Sequence, residues 1–181
     1  ELKNVLFLSS YTQFFESTAD QLNGIKEVFG TRNITLSEEF MDTKVYSSDE
    51  HIENFYQLFR YKIKNFHSRY DGVLLGDEAA LNFFETYGKE LFPETPVIFF
   101  GIDNPDNAER VAQNPYVTGS IERIYIEDTI LQAAKIFPKT KRIVAIADDT
   151  PTGIGNQKQL NEISAKFPDY QFEIGRASCR E

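Results

Sequence analysis

The stretch Asp71-Gly72-Val73-Leu74-Leu75-Gly76-Asp77-Glu78-Ala79-Ala80-Leu81 constrains the fold more than any other part of the chain. No polar side chain alternates with the apolar ones from Gly72 to Gly76. That is the pattern of an inner strand of a parallel sheet, buried on both faces. Asp77 and Glu78 then stand at the carboxyl end of the strand and at the amino end of the next helix. In open α/β sheets this edge is where ligands bind. The same grammar recurs at Val5–Tyr11, Val97–Asp103 and Ile143–Asp149, so the four strands are expected to bring polar side chains to one rim.

Taken in order, the chain alternates strands and helices. Asn4–Ser10 reads as the first strand, with Val5, Leu6, Phe7 and Leu8 as its buried run. Ala19, Leu22 and Phe29 give helical spacing to Glu16–Phe29, and Gly30 stands where a C′ glycine would end it. Ile34–Phe40 alternates enough to be a strand near a sheet edge. Ser48, Asp49 and Glu50 make a helix start, because a hydroxyl and carboxylates satisfy free amides and the dipole. Ile52, Phe55, Tyr56, Phe59, Ile63 and Phe66 carry that helix towards Tyr70, as the face that packs on the sheet. A helix through Leu91 follows the Asp71–Leu81 stretch, and Val97–Phe100 is a second doubly buried strand. Asp106–Pro115 reads as a loose polar stretch, and Tyr116–Ile121 as an extended crossing between two lobes. Ile126–Phe137 is helical up to Pro138, and Arg142–Asp149 is a fresh buried strand ending in acids. Thr150–Gly155 is its loop, a helix runs from Asn156 to Phe167, and Tyr170–Glu173 begins one more strand. Strand–helix units in succession give doubly wound parallel sheets, since crossovers between parallel strands are right-handed and helical.

Composition removes several function classes. At 41% hydrophobic and 26% charged the chain is ordinary globular material with no apolar run long enough to span a bilayer. A formal charge of −9 argues against nucleic acid, which needs clustered Lys and Arg. The chain starts at Glu1 and enters an apolar strand almost at once, so a leader or anchor is expected to have been removed. Residues 174–181 back-translate into a common sequencing adapter and are expected to be non-native read-through, which would take the lone Cys179 with them. A chain free of cysteine is compatible with an extracytoplasmic location.

The usual catalytic motifs are missing. There is no P-loop and no GxSxG elbow, and Gly153-x-Gly155 lacks the third glycine of a dinucleotide fingerprint. The first strand ends in Ser9-Ser10-Tyr11 where a pyrophosphate would require glycines. His51 and His67 are too far apart on one helix to share a metal. Asp77, Asp103, Asp148 and Asp149 are open to three readings. They can be Mg²⁺ or acid–base carboxylates, although such sites gather acids at the first strand, which here ends in serines. They can anchor an ammonium or hydroxyl group of a small ligand, with Tyr11, Phe14 and Phe15 as an apolar wall. They can also be no more than helix caps.

The order of motifs resembles a known family. Ser9-Ser10-Tyr11 and Met41-Asp42-Thr43-Lys44 come first, then Gly76-Asp77-Glu78-Ala79-Ala80-Leu81 and Phe92-Pro93-x-x-Pro96-Val97-Ile98-Phe99-Phe100-Gly101. Val117-Thr118-Gly119, Phe137-Pro138-x-Thr140-Lys141 and Asp148-Asp149-Thr150-x-Thr152-Gly153 follow. The set resembles the type I periplasmic-binding-protein family in its ABC-substrate-binding-like branch. Its flavour is similar to the extracytoplasmic sensor domains fused to bacterial histidine kinases and diguanylate cyclases. The resemblance implies a two-lobed, non-enzymatic clamp that closes on a small amino-acid-like or other metabolite, without cofactor, metal or nucleic acid. It implies lobes at 1–118 and 119–173, the second incomplete because the family's second lobe continues well past Glu173. Membrane attachment would come through flanking segments, and a homodimer is compatible with it. By position it implies ligand contacts from Ser10, Tyr11, Asp77, Glu78, Gly101 and Asp103 in the first lobe. Asp149, Thr150 and Thr152 would supply those of the second, with Thr118 and Gly119 as a hinge. A free substrate receptor of an ABC transporter is the alternative, and an enzyme of flavodoxin-like fold the distant third.

Overall fold

The computed structural model describes residues 1–66, 69–122 and 125–176, with the backbone alone at residues 151 and 152. His67 therefore lies outside the described residues, as does the side chain of Thr152. The chain divides into two compact units, Glu1–Ile121 and Glu122–Glu181.

The first unit runs β1 (Lys3–Ser9), α1 (Glu16–Phe29), β2 (Ile34–Phe40), α2 (Asp49–Phe66), β3 (Gly72–Gly76), α3 (Asp77–Leu91), β4 (Val97–Ile102), α4 (Pro105–Val111) and β5 (Val117–Ile121). Its strands form one parallel five-stranded sheet in the order β2-β1-β3-β4-β5. The chain moves from β1 outward to β2, then back past β1 to β3 and onward, so the winding reverses between β1 and β3. The carboxyl ends of strands at such a reversal are the general ligand position in doubly wound sheets.

Register sorts the core by face. Leu6, Val73 and Val97 lie side by side, as do Leu8, Leu75 and Phe99. These residues pack with Phe59 of α2, Ala80, Leu81 and Phe83 of α3, and Ala108 and Val111 of α4. Full burial of each such aliphatic or aromatic side chain contributes about 1.5–3 kcal/mol. The opposite face carries Phe7, Leu74 and Ile98 in register. There α1 comes close at Gly76, where an added Cβ would stand 3.0 Å from Gln21 Oε1 and 2.9 Å from the Phe7 ring. Ile98 stays 48% exposed. The expectation that Val97–Phe100 is buried on both faces therefore fails on this face, where α1 does not cover Ile98.

Three further local expectations are corrected. Asp106–Pro115 is not a loose stretch throughout, because its first half belongs to α4. Asn104 caps that helix through Oδ1, which accepts from the Asn107 amide at 3.4 Å, and Pro105 starts it with φ already set. Gly30 does cap α1, but in the right-handed region at φ −57°, so no left-handed C′ motif forms. Residues 69 and 70 are not helical, so α2 stops short of Tyr70. Ser48 caps α2 as expected, its Oγ accepting from the His51 amide at 3.2 Å. His51 Nε2 in turn lies 2.6 Å from the Met41 carbonyl and fastens the β2–α2 loop. Thr118 and Gly119 fall inside β5, where Gly119 pairs with Phe99. A Cβ on Gly119 would meet the Phe99 carbonyl at 2.3 Å, so this close approach requires glycine.

The second unit contains α5 (Ile126–Ile136), β6 (Arg142–Ala147), α6 (Pro151–Ser164) and β7 (Gln171–Arg176). Its sheet is one parallel pair, and Ile174, Gly175 and Arg176, expected to be tail, complete the ladder opposite Ala145, Ile146 and Ala147. The expected buried strand at 142–147 instead alternates, with Val144 52% and Ile146 75% exposed. A strand with one neighbour and α6 against it can bury only one row of side chains. The expected Thr150–Gly155 loop is also shorter than read, because Thr150 caps a helix that begins at Pro151. Among the described residues no helix is long and apolar enough to cross a membrane.

Candidate functional site

The rim at β1 and β3 is built from the residues that end the two strands. Ser10 is fully buried, and its hydroxyl donates to the Gly76 carbonyl at 2.7 Å while accepting from the Ala80 amide at 2.9 Å. It bridges two groups that are one turn apart at the start of α3. The Ser10 carbonyl takes the Thr43 amide at 2.9 Å and the Thr43 hydroxyl at 2.8 Å from the loop after β2. Ser10 is thus committed to holding three strand ends together. Tyr11 is buried, with Phe15 at a ring distance of 4.7 Å and Lys44 Nζ 5.2 Å above its ring. Phe14, by contrast, is almost fully exposed.

Asp77 follows Gly76 with φ 69°, and Gly101 at the end of β4 has φ 71°. Left-handed backbone is natural for glycine but costs a residue such as aspartate about 1 kcal/mol. A Cβ on Gly101 would lie 2.7 Å from Asp77 Oδ1, so β3 and β4 present these two residues face to face. Gln21 of α1 donates to Asp77 Oδ2 at 3.1 Å. Asp42, after β2, is also left-handed at φ 53°, and its Oδ1 is enclosed without a hydrogen bond. Sequence reading passed over Asp42 as a site residue, because nothing in Met41-Asp42-Thr43-Lys44 announces a positive φ.

Glu78 and Asp103 are both buried. Burial pushes the Glu78 carboxyl above its usual range, against opposing pulls from the Asn107 amide, the backbone amides of Asn104 and Asp103, and the Arg110 charge. The geometry thus sets Asp77 against Gly101 at the ends of β3 and β4 and buries Tyr11 and Asp103. It turns Ser10 and Glu78 inward.

In the second unit, Asp148 Oδ1 accepts from the Thr150 amide at 3.1 Å and from its hydroxyl, and Thr150 Oγ1 takes the Gly153 amide at 3.2 Å. Thr150 is buried as a helix cap. Gly153 is pressed on Asp148, where a Cβ would stand 2.2 Å from Oδ1, so this glycine answers to helix–strand packing. Asp149 is exposed, 3.8 Å from Arg176. Among the described residues no three His, Cys, Asp or Glu side chains are grouped to hold a metal ion.

No family model matches the chain, and no curated protein does. Solved structures do. A conserved domain protein from Vibrio cholerae superposes with a TM-score of 0.70 at 12% identity over 98% of this chain. The ABC domain in complex with L-Trp from Streptococcus pneumonia gives 0.67 at 12% identity, also over 98%. A solute binding protein of an ABC transporter from Rhodopseudomonas palustris, in complex with 3,4-dihydroxybenzoic acid, gives 0.60 at 15% identity over 97%. The fold is that of the periplasmic binding proteins. This chain spans 58%, 58% and 47% of the lengths of those three structures.

Asp77 can accept from an ammonium or hydroxyl group. The neighbour from Streptococcus pneumonia is complexed with an amino acid and that from Rhodopseudomonas palustris with an aromatic acid.

Proposed function

We propose that this chain is part of an extracytoplasmic receptor that binds a small solute at the carboxyl-end rim of its first unit. The observation that carries the reading is the pair of left-handed residues, Asp77 and Gly101, at the rim where the sheet reverses. A non-glycine residue kept in strained backbone at such a position supports a functional role. Asp77 would take the polar head of the solute, an amine or hydroxyl, and Tyr11 with Phe15 would flank its body. Asp149, exposed just after β6, would be a polar contact of the second unit. Thr118 and Gly119, just ahead of the crossing after β5, would share in the closure rotation. Closure would shift the receptor between two states by as much as the solute prefers one of them.

Two destinations fit such a receptor. Delivery to an ABC transporter is favoured by the solved neighbours, several of which are named as transporter solute-binding proteins. Sensing, ahead of a kinase or cyclase module, is favoured by the wording of Asp42-Thr43-Lys44 and Asp148-Asp149-Thr150.

The test is a thermal-shift and calorimetric panel of amino acids, aromatic acids and monosaccharides on the intact protein, followed by Asp77→Ala. A solute that raises the melting temperature of the wild type should lose about tenfold or more in affinity with Asp77→Ala, the scale of a charge-assisted hydrogen bond. An unchanged dissociation constant would remove Asp77 from the site.

A further inference from the structure

We infer that Glu78 is a positioning residue: from within the protein it holds the turn between β4 and α4 beside the rim, and does not itself touch solute. The inference rests on the reading of that rim as a solute site. Glu78 is 3% exposed. Its Oε1 accepts from the Asn107 side-chain amide of α4, and the same amide nitrogen donates to Asn82 Oδ1 at 2.7 Å. Asn107 Oδ1 takes Arg110 Nη2 at 2.6 Å, and the Asn107 backbone amide is capped by Asn104. The amides of Asp103 and Asn104 stand close enough to Glu78 to favour its charged form. One carboxylate therefore gathers α3, the turn after β4 and the first turn of α4.

The surroundings explain why this work falls to an acid. The Asn107 side-chain amide lies where water is excluded, and the buried Glu78 oxygen is an acceptor that satisfies it there. The charged groups around Glu78 are Arg110 from α4, Glu85 of α3, which pairs with Arg110, and Asp103 from the turn itself. Glu78 Oε2 is enclosed and makes no hydrogen bond of its own, so the carboxyl has an oxygen to protonate without breaking the contact to Asn107.

The test is residue-resolved amide hydrogen exchange on the full chain without any solute, comparing wild type with Glu78→Ala and Glu78→Gln. Glu78→Ala should speed exchange at Asp103, Asn104 and Asn107 about tenfold or more, while Leu6, Leu8, Val73 and Leu75 keep their protection. Glu78→Gln, which retains the acceptor, should stay within about threefold of wild type. In wild type the protection of the turn should rise, relative to Glu78→Gln, as pH falls through the raised Glu78 pKa. Unchanged exchange in Glu78→Ala, or equal loosening of the turn and of the β1–β3 core, would overturn the assignment. No solute enters the measurement, so a failed solute site would leave its outcome unaffected.

Discussion

Gly72–Asp77 and Arg142–Asp148 are written in nearly the same residues, an apolar run that closes on an acid and opens a helix, and they come to lie in different surroundings. β3 has β1 on one side and β4 on the other, with helices over the face that carries Val73 and Leu75. β6 pairs only with β7, and it leaves Val144 and Ile146 bare. The junctions that follow differ too. β3 passes into α3 without a spacer, forcing Asp77 into left-handed backbone, whereas β6 is followed by Asp148, Asp149 and the Thr150 cap before α6 begins. An apolar strand is thus buried by its neighbours and not by its own composition, and a missing spacer turns an ordinary acid into a strained one.

The comparison breaks most easily on burial. Leu75→Ala should cost about 2–5 kcal/mol, the range for emptying a filled core position, whereas Ile146→Ala should stay within about 0.5 kcal/mol. Denaturant unfolding of the full chain, followed by a probe in each unit, measures both. Comparable losses at the two positions would mean that β6 is covered after all.

A smaller effect is expected at the junction. Gly101→Ala should lose about 1–3 kcal/mol, from left-handed backbone and from the contact with Asp77. In combination with Asp77→Ala the contact disappears and about 1 kcal/mol of backbone strain should remain. Additive losses in this cycle would show that Gly101 and Asp77 do not meet.

The smallest effect is that of pH on Glu78. Its folded pKa is raised by burial, so its contribution is present below the unfolded-state pKa of about 4.3 and is lost as pH rises through the folded value. The advantage of Glu78→Gln over wild type in denaturant midpoint should therefore grow from acid towards neutral pH and then level off. A flat difference across that window would mean that Glu78 is not desolvated in the folded state.

Much of the architecture was legible because hydrophobic period and caps agreed with it. Glu16–Phe29 and Ile34–Phe40 are found with the bounds their spacing gave, and β2 lies at the sheet edge as its alternation required. α4 escaped because a seven-residue helix shows only Ala108 and Val111 as apolar marks, too few to establish a period. Its visible signal was Asn104-Pro105, a cap followed by a favoured first position. The rim expected from four strands is met by three in the first unit's sheet, because β6 pairs with β7 in the second unit's own sheet. Ser10 and Glu78 are of residue types that suit a ligand, and only packing tells that both spend their hydrogen bonds inside the protein. Asp42 had the opposite fate, because backbone conformation leaves no trace in residue type when the residue is not glycine.

The hydroxyl of Ser10 has a mechanical consequence. Gly76, Ser10 and Thr43 form a continuous tie across the ends of β3, β1 and β2, in which the Ser10 hydroxyl holds Gly76 and its carbonyl holds Thr43. Loops at a sheet edge ordinarily wander on their own, but these are laced together like the slats of a stiff panel. A load applied at Asp77 would be shared with the far edge strand and not absorbed where it lands. The rim of the first unit is in that sense a single part, and its stiffness is shared by the Ser10 carbonyl, amide and hydroxyl.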